Sequence, residues 1–352
     1  MEIGGAEIIV TYLCRYLRDR GHNPSVHCLV RSGALGEELL RENIPVYVCS
    51  PDSSRVWSLF RQLATTRPEV VHCHNATATI LGAPIARIVG VRRIISTRHG
   101  AVDPPYSYRR EVKFSLASRF CDHVVGVSKA TARNLQRAPF AARDAILTIH
   151  NGALPPPSAS SDFSTLEKQG WTVITVGRLS PPKDPETLLR AMARVLSAVR
   201  DVRLWVVGDG PLRPQLERSA ERQGISANVR FLGERRDVGR LLAQADLFCL
   251  SSRSEGLPLS QLEALAAGLP VVVTNAGGMP EAAPAEISCV VPVGDDAAFA
   301  EAILSFYKRR HLAPTWRTAA RAYFAANFSA ERMCAAYERL YLGLGVDQAQ
   351  PE

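Results

Sequence analysis

Thr172-Val173-Ile174-Thr175-Val176-Gly177-Arg178-Leu179-Ser180-Pro181-Pro182-Lys183 runs through five apolar or β-branched residues, turns at a glycine and then presents two cations. An uninterrupted run of this kind, bounded by Gly and Pro, reads as a strand buried on both faces, which is the habit of parallel sheets. The chain beyond it repeats the theme. Strand patterns at residues 203–207, 229–232, 247–250 and 271–274 alternate with helical patterns at 185–199, 212–223, 238–243 and 258–267. That alternation predicts βα units around a parallel sheet.

Residues 22–150 show the same organisation. Short β-rich runs at 25–30, 46–49, 70–73, 93–97, 124–127 and 146–149 are separated by amphipathic spacing at 57–64 and 79–89. Between the two alternations, residues 154–161 read Leu-Pro-Pro-Pro-Ser-Ala-Ser-Ser, which sustains neither ladder nor helix and marks a linker. A chain of 352 residues is also too long for one ordinary core. The expected fold is therefore α/β, with two Rossmann-like domains at 1–154 and 162–325. A C-terminal helix at 326–345 is expected to pack back toward the first. Open α/β sheets bind ligands beyond the carboxyl ends of their strands, so a cleft between facing strand edges is the expected site.

One irregularity stands at the start. Gly4-Gly5-Ala6-Glu7 leads into an amphipathic helix carrying Ile9, Leu13, Tyr16 and Leu17, as a strand-to-helix phosphate turn would. Only Met1 to Ile3 precede it, so the first strand of the N-terminal domain is expected to be missing.

Composition narrows the classes. Hydrophobic content of 46% and charged content of 22% are globular values. No apolar run approaches membrane-spanning length, and Glu2, Glu7 and Asp19 break any signal-peptide pattern, which makes a cytoplasmic location the expectation. The eight cysteines contain no Cys-x-x-Cys pair and several sit in strand-like runs, as buried reduced thiols do. His72 and His74 share a strand face without a Cys, Asp or Glu cluster beside them, so no metal site is expected. Residues 1–150 hold 20 Lys and Arg against 12 Asp and Glu, whereas the remainder is balanced at 22 against 22. With no zinc finger or aromatic-interleaved basic repeat, nucleic acid is not an expected partner. An acidic membrane surface and a merely solvated set of arginines both remain open as readings of that basic half.

The chemistry concentrates in the second half. In Ser254-Glu255-Gly256-Leu257-Pro258-Leu259-Ser260-Gln261-Leu262-Glu263, the N–H groups of Gly256, Leu257 and Leu259 are expected to project from a helix N-terminus, a ready anion site. Glu255 and Glu263 flank it with carboxylates able to accept pairs of hydroxyl hydrogen bonds. Arg178 and Lys183 follow Gly177 at a strand's carboxyl end, where paired cations can neutralise a leaving diphosphate without Mg²⁺. No Asp-x-Asp metal motif offers the alternative; Asp295-Asp296 reads as a helix cap. Gly208 and Gly210 are either a tight turn or a ligand contact.

In order along nearly the whole chain, Gly-Gly-Ala-Glu, Val-Gly-Arg-Leu with Lys183, Gly208-Asp209-Gly210-Pro211, Phe231-Leu232-Gly233 and Glu255-x7-Glu263 resemble the retaining GT-B glycosyltransferases of family 4. The resemblance implies a nucleotide-sugar donor and no cofactor. It assigns Arg178 and Lys183 to the donor pyrophosphate, Glu255 to the transferred sugar and Glu263 to the ribose. Phe231 and Leu232 would line the base, Gly4 and Gly5 would meet the diphosphate, and His99 would stand near the sugar. His99 and His74 also admit a purely structural reading. The implied activity is transfer to a glycan or lipid-linked acceptor in envelope or exopolysaccharide synthesis, peripheral to the inner membrane face. A nucleotide-sugar epimerase of the same fold and an inactive membrane-docking component are the rival readings.

Overall fold

The computed structural model describes residues 4–50, 54–100, 108–138, 140, 142–156 and 168–345. They form two compact units, one of residues 4–152 with 330–345 and one of residues 153–329. The chain thus leaves the first unit after Gly152 and re-enters it at Ala330. Of the expected linker, residues 157–161 lie outside the described residues, as does the place of the expected strand ahead of Gly4.

The first unit alternates from its start: α1 (Gly5–Asp19), β1 (Val26–Cys28), α2 (Gly33–Arg41), β2 (Val46–Val48), α3 (Arg55–Thr66), β3 (Val70–His74), α4 (Asn75–Ile88), β4 (Arg93–Arg98), α5 (Tyr108–Ser118), β5 (His123–Gly126), α6 (Lys129–Arg137) and β6 (Ile146–Thr148). All strand pairings are parallel, in a four-stranded sheet β3-β4-β5-β6 and a separate pair β1-β2. Leu59, Leu63, Ala83, Ile94, Phe114, Val124 and Leu135 close one core around the larger sheet. Burial of these side chains supplies the main favourable term for the unit.

The second unit contains β7 (Trp171–Val176), α7 (Pro185–Ala198), β8 (Val202–Val207), α8 (Arg213–Arg222), β9 (Val229–Gly233), α9 (Val238–Gln244), β10 (Leu247–Leu250), α10 (Leu259–Ala267), β11 (Val271–Thr274), β12 (Ser288–Val291), α11 (Asp296–Lys308) and α12 (Ala313–Asn327). Its six parallel strands lie in the order β12-β11-β10-β7-β8-β9. The chain builds outward from β7 on one side and then crosses back to build from β10 on the other. The topological switch point therefore falls between β7 and β10, where open α/β sheets gather their ligands. As the run at 172–176 implied, Val173 and Ile174 are wholly buried. Asp295 does cap α11, its side chain accepting from the Ala298 N–H at 2.9 Å.

Instead of one helix at 326–345, α12 ends at Asn327 and α13 (Ala330–Leu342) starts afresh. The break is held by the Ala153 N–H, which donates to Phe328 O at 2.9 Å. Within the first unit, Glu338 of α13 accepts from Tyr16 Oη (3.2 Å) and Arg20 Nε (2.9 Å), and meets His22 Nε2 at 2.9 Å. All eight cysteines are free and all but Cys289 are buried.

Burial alone would raise the Glu338 carboxyl, but the hydrogen bonds from His22, Arg20 and Tyr16 outweigh it and hold it below the ordinary carboxylate value. A depressed carboxyl contributes stability above its unfolded value, lost as pH falls through the folded one. Glu338→Gln is therefore expected to melt a few degrees below wild type at neutral pH. The gap should close progressively below about pH 4.5, the ordinary value of the group, in thermal scans across that range.

Candidate active site

At the switch point the carboxyl end of β7 passes through Gly177 into Arg178 and a single 3-10 turn at Pro181–Lys183. The carboxyl end of β10 passes through Ser251 and Ser252 to Glu255. These two loops bring Lys183 and Glu255 together: the Lys183 ammonium donates to Glu255 Oε1, which also accepts from Ser252 Oγ at 2.8 Å. Asp184, in left-handed conformation at φ 41°, is buried and receives Thr187 Oγ1 (2.8 Å) and Arg253 Nε (2.9 Å). Its carbonyl accepts from Ser251 Oγ at 2.7 Å, so the β10 loop clamps the backbone that carries Lys183. Arg178 is exposed and makes no ion pair among the described residues. A shallow pocket is lined by Gly177, Arg178, Lys183 and Ser251.

The helix beyond Glu255 starts later than its sequence suggests. Pro258 is the N-cap of α10, extended at ψ 129°, and the first helical residue is Leu259. Proline also pushes the residue before it toward extended backbone, so Gly256 and Leu257 precede the helix rather than opening it. Leu259 keeps its place at the N-terminus, and its N–H has no partner among the described residues. Glu263 falls in the second turn and has no hydrogen-bond partner among the described residues. Burial raises its carboxyl above the ordinary value. Such a carboxylate gains from hydroxyl donors that would satisfy it.

Gly208 stands in a tight turn after β8. Its φ of 119° suits glycine, and a Cβ there would stand 2.2 Å from Gly177 O, so no other residue lets the β8 turn approach β7 this closely. A Cβ at Gly210 would lie 2.4 Å from Leu179 O. Phe231 and Leu232 are half-buried on β9. The pairing there slips by one residue: Val206 faces Phe231 and Val207 faces Gly233, leaving Leu232 as a bulge.

In the first unit, Gly4 caps α1 and Gly5 is its first residue. His99 follows β4 and His74 ends β3, placing both at carboxyl strand ends. His74 Nδ1 lies 2.8 Å from His99 Nε2, with the rings stacked at 5.2 Å. His72 has both ring nitrogens engaged, by Tyr341 Oη and Thr97 Oγ1 at 2.7 Å each, and its ring contacts that of His74. Burial pushes all three imidazoles below their ordinary value, His74 to about 4, so they are neutral at neutral pH. Among the described residues, no three His, Cys, Asp or Glu side chains gather as a metal site would require.

Sequence reasoning missed Ser252, Asp184 and, above all, Gly277. At φ 55°, a Cβ on Gly277 would fall 1.7 Å from Glu255 O, and the neighbouring Gly278 N–H donates to Gly256 O at 2.8 Å. The β11 loop thus presses backbone on backbone against the Glu255 loop. The signal was present as Asn275-Ala276-Gly277-Gly278 directly after a buried strand.

Two family models match the chain: "Glycosyltransferase Family 4" over residues 3–153 and "Glycosyl transferases group 1" over residues 170–309. The chain is 25% identical to N-acetyl-alpha-D-glucosaminyl L-malate synthase of Bacillus anthracis, over 96% of this chain and 94% of that one. It is 29% identical to a GDP-mannose-dependent monoacylated alpha-(1-6)-phosphatidylinositol monomannoside mannosyltransferase of Corynebacterium glutamicum, over 73% and 72%. Among solved structures, Anabaena Alr3699/HepE in complex with UDP and glucose superposes with a TM-score of 0.86 at 24% identity, covering 97% and 96% of the two chains. That likeness establishes the fold, GT-B, with its two Rossmann-like domains.

Gly277→Ala is expected to destabilise the second unit by about 1–3 kcal/mol, the scale of a strained left-handed residue. It should also weaken the Glu255 loop's grip on any ligand. Thermal unfolding together with titration of UDP and GDP sugars checks both effects.

Proposed function

The chain belongs to the family 4 glycosyltransferases and is a hexosyltransferase; on that premise we propose that it is a retaining, metal-independent enzyme with a nucleoside diphosphate sugar as donor. The observation that carries the reading is the pair of cations, Arg178 and Lys183, set with Glu255 at the switch point of the second unit's sheet. A relative that is GDP-mannose-dependent by name and a structural neighbour solved with UDP support that donor class.

In this reading the bond from the anomeric carbon to the diphosphate breaks while the acceptor oxygen attacks from the same face. The departing phosphate oxygen takes the acceptor's proton. Charge grows on that phosphate, and Arg178, Lys183 and the unpartnered N–H at the start of α10 stabilise it. Removing one such donor from a preorganised site typically costs about 10²–10³ in turnover. Glu255 holds Lys183 in position and accepts from the sugar, while Glu263 takes the paired ribose hydroxyls that would satisfy its carboxylate. An epimerase would use the donor alone, and the chain's relatives named as transferases favour transfer.

The acceptor we propose is a glycan or a lipid-linked sugar of envelope or exopolysaccharide synthesis, reached at the inner face of a membrane. No helix among the described residues is long and apolar enough to cross one. Residues 1–150 carry the whole basic excess, and the first unit exposes large apolar side chains beside arginines. Trp57, 53% exposed, lies under the Arg61 guanidinium, and Ile88 and Phe120 flank Arg87. Cationic and aromatic side chains mixed in this way suit an anionic lipid surface.

Arg178→Ala is expected to keep the wild-type thermal transition within about a degree, since Arg178 is exposed and makes no ion pair among the described residues. Lys183→Ala leaves the largely buried Glu255 carboxylate without its cation and is expected to lower the transition by a few degrees. Sugar transfer should fall by about 10² or more; wild-type transfer by Lys183→Ala would sink the assignment. Sedimentation with vesicles should show binding that rises with the acidic-lipid fraction and fades with salt. Binding indifferent to lipid charge would remove the membrane proposal.

A further inference from the structure

The hydrogen bond between His74 and His99 couples two rings that burial keeps neutral. One proton lies between His74 Nδ1 and His99 Nε2, 2.8 Å apart. If His74 donates it, a neutral His99 must carry its own proton on Nδ1. If His99 donates it, His99 Nδ1 is a bare lone pair. The second nitrogen of His99 is thus a donor or an acceptor according to what His74 does.

Among the described residues, that second nitrogen of His99 is the one its ring leaves without a partner. His99 Nδ1 is buried and has no hydrogen-bond partner among the described residues. A buried polar atom without a partner is costly, so a ligand atom that completes it is favoured. Both rings are held in place around it. His74 sits at the end of β3 in register with Thr97, its ring against that of His72, which is fixed in turn by Tyr341 and Thr97. The His99 backbone N–H reaches toward Asn75 Oδ1 at 3.4 Å, and Asn75 is itself in left-handed conformation at φ 69°. Nothing in this arrangement gives His99 Nε2 any partner except His74 among the described residues.

Phosphate oxygens accept and never donate. We propose that His74 is a positioning residue: it donates its Nδ1–H to His99 Nε2 and so holds His99 in the tautomer whose Nδ1–H points at an oxygen of the sugar nucleotide. The choice of tautomer and the identity of that oxygen both rest on the transferase reading; the coupling of the two rings does not. An uncharged imidazole becomes an obligate donor only because its second nitrogen is fed a proton by its neighbour. The same logic makes the orienting partner of a catalytic histidine matter for turnover more than for binding.

The test is tautomer assignment by long-range ¹H–¹⁵N correlation on the full chain labelled at its eight histidines, at neutral pH. His99→Gln identifies the His99 signals. Wild type should show His99 protonated on Nδ1. His74→Asn, whose side-chain amide can replace the lost donor, should keep that tautomer, and His74→Phe should lose it. With saturating UDP-glucose or GDP-mannose, whichever is turned over, His74→Phe should lose about ten- to a hundred-fold in kcat with little change in KM, and His74→Asn should recover most of it. A wild-type His99 protonated on Nε2, or an unchanged tautomer in His74→Phe, overturns the proposal. If His74→Phe does not fold, the wild-type and His74→Asn spectra decide on the same criterion. A wild-type chain that shows the tautomer but transfers no sugar supports the coupled pair and counts against the transferase reading instead.

Discussion

The second unit is organised by close approach of backbone to backbone at one edge of a parallel sheet. Gly208 lies against the Gly177 carbonyl, Gly210 against that of Leu179 and Gly277 against that of Glu255, each at a distance that leaves no room for a β-carbon. These contacts join the loop after β8 to that after β7 and the loop after β11 to that after β10, and the hydrogen bond from Ser251 Oγ to Asp184 O ties the two pairs together. Charged side chains that would otherwise be held only by flexible stems are then fixed by the backbone beneath them. Lys183 and Glu255 pair because their loops are pinned. The site is a product of sterics first and electrostatics second.

The first unit solves a related problem with hydrogen bonds in place of glycines. Its histidines lie on adjacent parallel strands, and two residues along a strand return to the same face. Thr97 and His99 therefore share a side of β4, opposite His72 and His74 on β3. Thr97 accepts or donates to both His72 and Tyr337, tying the strand ends to α13. Polar groups of this kind are tolerated in a buried setting because most of them are satisfied; His99 Nδ1 is one of the exceptions among the described residues.

Much of this was legible from residue patterns, for a physical reason. Strands buried on both faces leave an unbroken apolar signature, so β7, β8, β10 and β11 were found within a residue or so of their ends. The cations and carboxylates stood out because they interrupt those runs at strand ends. Tertiary proximity was less accessible. Lys183 and Glu255 are 72 positions apart and meet only because the strand order reverses between β7 and β10. The start of α10 was misjudged because Pro258 suits both the first turn of a helix and its cap, and only the extended backbone at Pro258 decides between them. The glycine pair at Gly277 marks a turn in the sequence, but the steric need that makes it matter is set by the Glu255 loop, a distant segment that the local pattern does not name.

The return of α13 to the first unit has a consequence for how the chain is made. Residues 153–329 form a complete unit of contiguous sequence, whereas the first unit is interrupted and finished only by residues after Ser329. Tyr337, Glu338 and Tyr341 supply the partners of Thr97, of Tyr16, Arg20 and His22, and of His72. During synthesis from the N-terminus, the half translated first must therefore wait for the last to emerge. The half translated second can close as soon as it leaves the ribosome. Order of synthesis and order of completion run in opposite directions along this polypeptide.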